Sequence, residues 1–357
     1  MAIELRNVTK RVGGETHIYP TDLALEQGCF NVLLGTTLSG KTTLLRLMAG
    51  LEKPSTGEVW FKGQNVTGVA VQKRNVAMVY QQFINYPNFN VYDNIASPLR
   101  VNRTAAKEID ARVRKVAELL QIAPMLQRMP AELSGGQQQR TALARALVKD
   151  AELVLLDEPL ANLDYKLREE FREELPKLFL DSGATVVYAT TEPAEALLLG
   201  GYTATLHQGR VTQFGPTAHI YRHPLDLISA QVFSDPPINH ARIRKQGGSF
   251  YYSDSVHWDV GGYRSLADGD YVIGFRPHHI GLTPVGGTTV KVIGSVVVTE
   301  ISGSESVIHA RVNEDTWVSL SPGIHPLKRG DEVQLHVQVD KCFYFDAEHR
   351  LIPRQDI

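Results

Sequence analysis

Residues 31–50 read NVLLGTTLSGKTTLLRLMAG, and the order of features in this stretch decides the fold. The short apolar run Asn31-Val32-Leu33-Leu34 stops at Gly35 and reads as a strand buried on both faces. From Lys41 to Gly50 the apolar positions recur at helical spacing. Between strand and helix lie Gly35, Thr36, Thr37, Leu38, Ser39, Gly40, Lys41, Thr42 and Thr43: a glycine, four residues, then Gly-Lys-Thr. Glycines let backbone N–H groups curl round phosphates at a helix N-terminus, where the helix dipole favours anions. In that arrangement Lys41 reaches the β and γ phosphates, and the Thr42 hydroxyl completes the shell of a Mg²⁺ ion. A glycine turn with no ligand is the plain alternative, and the strand-loop-helix context weighs against it.

Working outward, Leu153 to Pro159 reads LVLLDEP, an apolar strand ending in two acids. Asp157 is placed to hold Mg²⁺ through water and Glu158 to polarise an attacking water. Alone this is weak, because strands often end in acidic turns. Leu133 to Arg140 reads LSGGQQQR, in which a serine and two glycines open a helix continuing to Val148. Taken alone it is a second anion-binding helix start or a plain capped helix. With the helical spacing of Thr104 to Leu120, the first two thirds of the chain read as strand-helix alternation around a parallel sheet. Beyond Asp235-Pro236-Pro237 the texture changes to short alternating segments, Gly294 to Thr299 and Glu332 to Val339 among them. These predict a small antiparallel barrel. The expected organisation is an α/β phosphate-loop domain over 1–235, with a helical subdomain at about 85–150, and an all-β OB-like barrel over 236–357.

The bulk composition is consistent with this division. A chain of 357 residues exceeds the size at which one hydrophobic core stops growing. With 43% hydrophobic and 21% charged residues it is neither disordered nor fibrous, and a formal net charge of -2 gives no global pull toward nucleic acid or anionic lipid. The only cysteines, Cys29 and Cys342, form neither a disulfide framework nor a metal-spacing motif, which fits a cytosolic compartment. The opening MAIELRNVTK lacks the apolar core of a signal peptide, and no stretch approaches the ~20 apolar residues of a membrane helix. Any membrane role is expected to be borrowed from a partner.

The ordered set of phosphate loop, Gln81, LSGGQQQR, LVLLDEP and Asn162-Leu163-Asp164 resembles the ATP-binding subunit of ABC transporters, and the whole chain is similar to the carbohydrate-importer branch. The resemblance implies an ATP hydrolase using ATP and Mg²⁺, with Thr42, Gln81 and Asp157 around the metal. It also implies two ATPase subunits clamped head to tail, so that Ser134, Gly135, Gly136 and Gln137 of one cap the γ-phosphate held by the other. Asp164 would bridge the two sites, and Gln81 would relay to a surface around Phe83 to Pro87 where a permease helix docks. Implied partners are a second ATPase subunit, two membrane permease subunits and, indirectly, an extracytoplasmic solute-binding protein. The implied location is peripheral, on the cytoplasmic face of the inner membrane. Gly274-Phe275-Arg276-Pro277-His278-His279-Ile280 resembles the barrel motif appended to such ATPases, and the aromatics Phe250-Tyr251-Tyr252 read as packing, so no nucleic acid is expected.

Two departures stand out. In the family a histidine usually follows the strand after the Asp-Glu pair; here Thr191 takes its place, and a threonine is shorter and offers no imidazole. The aromatic residue that usually stacks on adenine aligns with Val12, leaving Tyr19 or His17 to substitute, or adenine weakly held. With the signature, Glu158 and Asp164 intact, the expectation is a heterodimer in which this chain's own site is impaired. Its segments QKRNVAMVYQQFINYP and YATTEPAEALLLGG resemble one of the two ATPase subunits of bacterial glycerol importers. The alternatives are a homodimeric ATPase of a sugar or glycerol 3-phosphate importer and a non-hydrolysing scaffold subunit.

Overall fold

A computed structural model describes residues 2–82, 84–161, 165–180, 183–284 and 286–354. The chain divides into two compact units, Met1–Ile220 and Tyr221–Ile357.

The first unit opens with two long antiparallel strands, β1 (Ile3–Val12) and β2 (Glu15–Leu25). Next come β3 (Phe30–Gly35), helix α1 (Lys41–Ala49), β4 (Thr56–Phe61), β5 (Gln64–Asn65) and β6 (Val76–Val79). Three helices follow: α2 (Val91–Val101), α3 (Ala106–Leu119) and α4 (Gly135–Leu147). The unit is completed by β7 (Leu153–Asp157), α5 (Tyr165–Leu180), β8 (Thr185–Thr190), α6 (Pro193–Leu199), β9 (Tyr202–His207) and β10 (Arg210–Pro216). These strands make two sheets, one of four strands in the order β2-β1-β4-β5 and one of six in the order β10-β9-β3-β8-β7-β6. In the second sheet β6, β7, β8, β3 and β9 are mutually parallel, and only β10 runs antiparallel. Every residue of β3, β7 and β8 is buried, as their unbroken apolar runs require of parallel strands covered on both faces. One core joins the sheets: Ile3, Leu5 and Leu25 from the first and Leu33, Leu155 and Val187 from the second pack with Leu44, Leu45 and Met48 of α1.

Helix α1 begins at Gly40, whose φ of 104 only glycine adopts readily, and ends at Gly50, whose N–H reaches the Arg46 and Leu47 carbonyls. Helix α2 starts on Asn90, which accepts from Asp93 N at 2.7 Å. Helices α2, α3 and α4 occupy the stretch expected to be helical. No helix among the described residues is long and apolar enough to cross a membrane.

A short helix α7 (Thr217–Arg222) carries the chain across the division, and α8 (Leu227–Val232) belongs to the second unit. The division falls ahead of the Pro-rich step at Asp235 because Leu227 and Ala230 of α8 pack with Ile238 and Phe345 of the second unit. Leu227 N–H also donates to His349 O at 3.0 Å. The remaining strands are β11 (Asn239–Gln246), β12 (Ser249–Ser253), β13 (Val256–Asp259), β14 (Gly269–Phe275), β15 (Ile280–Gly281), β16 (Thr289–Ile301), β17 (Glu305–Val312), β18 (Asp315–Pro322), β19 (Glu332–Gln338) and β20 (Phe343–Phe345). They form two five-stranded sheets, β13-β12-β11-β14-β20 and β15-β19-β16-β17-β18, around one core of Phe250, Trp258, Phe275, Trp317, Leu335 and Tyr344. The all-β, barrel-like unit expected from the alternating segments is therefore present.

Candidate functional site

The phosphate loop leaves β3 at its carboxyl end, where open α/β sheets place their ligands. Gly35 cannot carry a side chain: a Cβ there would lie 2.5 Å from Ser39 Oγ and 2.6 Å from Leu206 O. Lys41, 4% exposed, turns back under the loop. Its Nζ donates to Gly35 O at 2.8 Å and Thr36 O at 3.1 Å, and sits 3.3 Å from Glu158 Oε1. Burial draws the Lys41 ammonium below its ordinary range, while the Glu158 and Asp157 carboxylates pull the other way.

Beside it, Thr42 Oγ1 donates to Asp157 Oδ1 at 3.0 Å. Asp157 ends β7 and is 2% exposed; burial raises its pKa, with the Glu158 charge adding to the rise and the Thr42 hydrogen bond opposing it. Glu158 adopts a left-handed φ of 46 just past the strand, its N–H donating to Ala189 O at 3.0 Å. Its other oxygen, Oε2, accepts from Gln81 Nε2 at 3.0 Å. Three separate strand ends, those of β3, β6 and β7, thus bring Lys41, Thr42, Gln81, Asp157 and Glu158 together. Thr42, Gln81 and Asp157 offer hydroxyl, amide and carboxylate oxygens, the hard donors Mg²⁺ takes, and the Thr42–Asp157 hydrogen bond shows two of them converging on one point.

A cleft of about 630 Å³ opens over this constellation, lined by Thr37 to Thr43, Gln81 and Glu158. Its far wall comes from β2, through Glu15, Thr16, His17 and Tyr19, and from the β9–β10 turn, through Gln208 and Gly209. Val12 is 49% exposed and is not among these residues. A second hollow of about 580 Å³ shares Thr42, Gln81 and Asp157 and continues past Arg46 and Tyr80 to Ile84. A third, of about 470 Å³, lies between β6 and the helices, with Tyr86, Phe89, Arg100, Arg145 and Lys149 on its walls.

Other expected site residues stand apart from the cleft. Ser134 is the N-cap of α4, accepting from Gln137 N at 3.4 Å, while Gln137 Oε1 accepts from Ser134 N at 3.1 Å. Ser134 and Gly135 are exposed, and a Cβ on Gly135 would meet nothing within 4 Å, so this helix start faces outward with Gly136 and Gln137 in its first turn. Thr191 is exposed, on a turn braced from beneath: Thr190 Oγ1 and Tyr188 OH donate to buried Glu195 Oε2 at 2.6 and 2.9 Å. Neighbouring Glu192 is gripped by Arg168 and Arg172. Asp164 and Phe83 lie outside the described residues. Sequence reasoning missed Gln208 and Gly209; the available signal was a turn dipeptide ending in glycine between two strand-like runs.

The family model described as ABC transporter matches residues 19–161. The sn-glycerol-3-phosphate import ATP-binding protein of Vibrio vulnificus is 34% identical over 344 residues, covering 95% of this chain and 92% of the relative. The trehalose/maltose import ATP-binding protein of Thermococcus litoralis is 36% identical over 363 residues, covering 96% and 97%. Among solved structures, a dimeric post-hydrolysis state of an ATP-binding cassette bound to ADP and Pi superposes with a TM-score of 0.56 at 30% identity, over 60% of this chain and 98% of that one.

Proposed function

Because this chain belongs to the family of ABC transporter ATP-binding proteins, we propose that it hydrolyses ATP in a cleft whose second half is supplied by another copy of itself, and so drives solute import through a membrane permease. The observation that carries the reading is the gathering of Lys41, Thr42, Gln81, Asp157 and Glu158 at the carboxyl ends of the parallel strands.

In this reading Lys41 exchanges its carbonyl partners for the β and γ phosphates, and the N–H groups at the start of α1 receive the same anion. Glu158 accepts the proton of the water that attacks the γ-phosphorus, and Gln81, hydrogen-bonded to it, fixes the direction of that carboxylate. Thr42, Gln81 and Asp157 would hold Mg²⁺, which when bound neutralises charge on the phosphate oxygens. The outward-facing N-terminus of α4, with Ser134, Gly135, Gly136 and Gln137, suits a γ-phosphate presented by the opposite subunit. Asp164 would bridge the two subunits.

The sequence placed a heterodimer first, on the strength of Thr191 and Val12. The dimeric cassettes and the curated relatives support the homodimeric alternative instead. The relatives' names likewise support sn-glycerol 3-phosphate or a sugar as solute ahead of glycerol itself. The hollow around Tyr86, Phe89, Arg100, Arg145 and Lys149 is the surface we assign to a permease helix; Arg100 is paired with Asp93, and the charges of Arg145 and Lys149 suit a helix that carries an acid. A peripheral place on the cytoplasmic face of the membrane follows from that assignment. A solute-binding protein would act only through the permease.

The deciding experiment is steady-state Mg-ATP hydrolysis by the purified chain alone, beside Thr191→His. Turnover by the unmodified chain, rising more steeply than linearly with its concentration, is expected of shared sites. No turnover until the histidine is supplied would return the heterodimer with an impaired site to first place.

A further inference from the structure

The cleft has a built wall beyond its phosphate loop. Alternation along β2 sends Ile18 into the core and leaves His17 and Tyr19 on the opposite face, toward the cleft. Two backbone hydrogen bonds set the position of this wall. Gly209 N–H donates to Ser39 O at 3.0 Å, and Tyr19 N–H donates to Gly209 O at 2.9 Å, so the β9–β10 turn ties β2 to the phosphate loop. The fit is close, since a Cβ on Gly209 would lie 2.4 Å from His17 O. Of the two rings on this face, Tyr19 is the one held by a cation: the Arg210 guanidinium carbon sits 3.8 Å from its ring centroid. Tyr19 lines the cleft and Arg210 does not.

We propose that Tyr19, backed by Arg210, is the platform on which the nucleotide base stacks in this chain, with Gln208 at the polar edge of the base. The assignment rests on the ATP-binding reading given above. A ring already fixed by a guanidinium loses little freedom when a base settles on it, so the stacking energy is not spent on ordering the side chain. Stacking is tolerant of base identity, because every base has a π-face. Choice between adenine and guanine therefore falls to Gln208, whose amide both donates and accepts. It stands in the β9–β10 turn with a left-handed φ of 45 and lines the cleft.

The test is calorimetric titration of the full chain and of Tyr19→Ala, Tyr19→Phe and Arg210→Ala with ATP and, separately, with inorganic tripolyphosphate. Tyr19→Ala is expected to weaken ATP roughly tenfold and leave tripolyphosphate unchanged. Tyr19→Phe keeps ATP affinity, and Arg210→Ala loses about two- to fivefold. Unchanged ATP binding by Tyr19→Ala overturns the proposal. Equal weakening of ATP and tripolyphosphate also overturns it, since Tyr19 would then be propping the phosphate loop. The underlying ATP-binding reading has its own control: it fails if Lys41→Ala leaves both ligands bound as before, whatever the Tyr19 variants do.

Discussion

Glu158 combines an uncommon backbone with two side-chain partners. A left-handed φ at a non-glycine residue costs on the order of 1 kcal/mol and persists only where surrounding contacts enforce it. Here the Ala189 carbonyl takes its N–H, while Lys41 and Gln81 take its two carboxylate oxygens. Glu158→Gln removes the proton acceptor and keeps the shape. It should leave ATP binding intact and lower kcat by about 10²- to 10⁴-fold, measured by single-turnover hydrolysis beside equilibrium nucleotide binding. If binding is lost in parallel, Glu158 serves chiefly to hold Lys41. The sequence made this residue a candidate, because two acids after an apolar run have few other readings once a phosphate loop is present. Its pairing with Gln81 was not legible, because it depends on how β6 and β7 lie side by side.

Among the elements, the parallel strands and α1 were the easiest to read, since burial on both faces leaves an unbroken apolar run and glycines mark both helix ends. The β9–β10 hairpin was harder. Most of β10 is only half buried, so its residues carry little alternation, and the turn acquires meaning only through contacts with β2 and the phosphate loop far upstream. Gly209 is the point where that joint is most sensitive. Its φ of 76 and the nearness of His17 O both resist a side chain. Gly209→Ala should destabilise the first unit by more than about 1 kcal/mol in a denaturant melt and weaken ATP at the same time. A variant of unchanged stability would mean that the turn relaxes without disturbing β2.

Over the whole chain, the exposed start of α4 is not part of the phosphate cleft's lining, as the shared site proposed above requires. A Glu158→Gln chain given ATP should therefore elute as a dimer in size-exclusion chromatography, while Lys41→Ala stays monomeric. A monomer in both cases would favour a different partner subunit. The second unit carries its own pH response. Burial, together with His278, Arg276 and Lys341, holds the His279 imidazole down at about 4, with Asp340 opposing. A histidine depressed in the folded state favours its neutral form there. Its contribution is present above the ordinary value near 6.5 and is lost as the pH falls through the window down to about 4. Thermal stability should decline across that window, and His279→Gln should flatten the decline. The barrel was foreseeable as a class from its alternating segments. Where it begins was not, because α8 is recruited by Phe345, a residue more than a hundred positions further along.

The internal pairing of Lys41, Thr42, Glu158 and Asp157 has a thermodynamic corollary. A nucleotide that engages Lys41 and Thr42 does so by swapping at these two side chains: each new contact there displaces an old one. At these two positions loading resembles a trade between near-equals, so the two side chains add little to the heat of binding. The same symmetry lets the product depart without stranding a buried charge, because Glu158 and Asp157 can take back what they gave up. A transport motor that must reset after every cycle is well served by a site in which neither arrival nor departure is a deep trap.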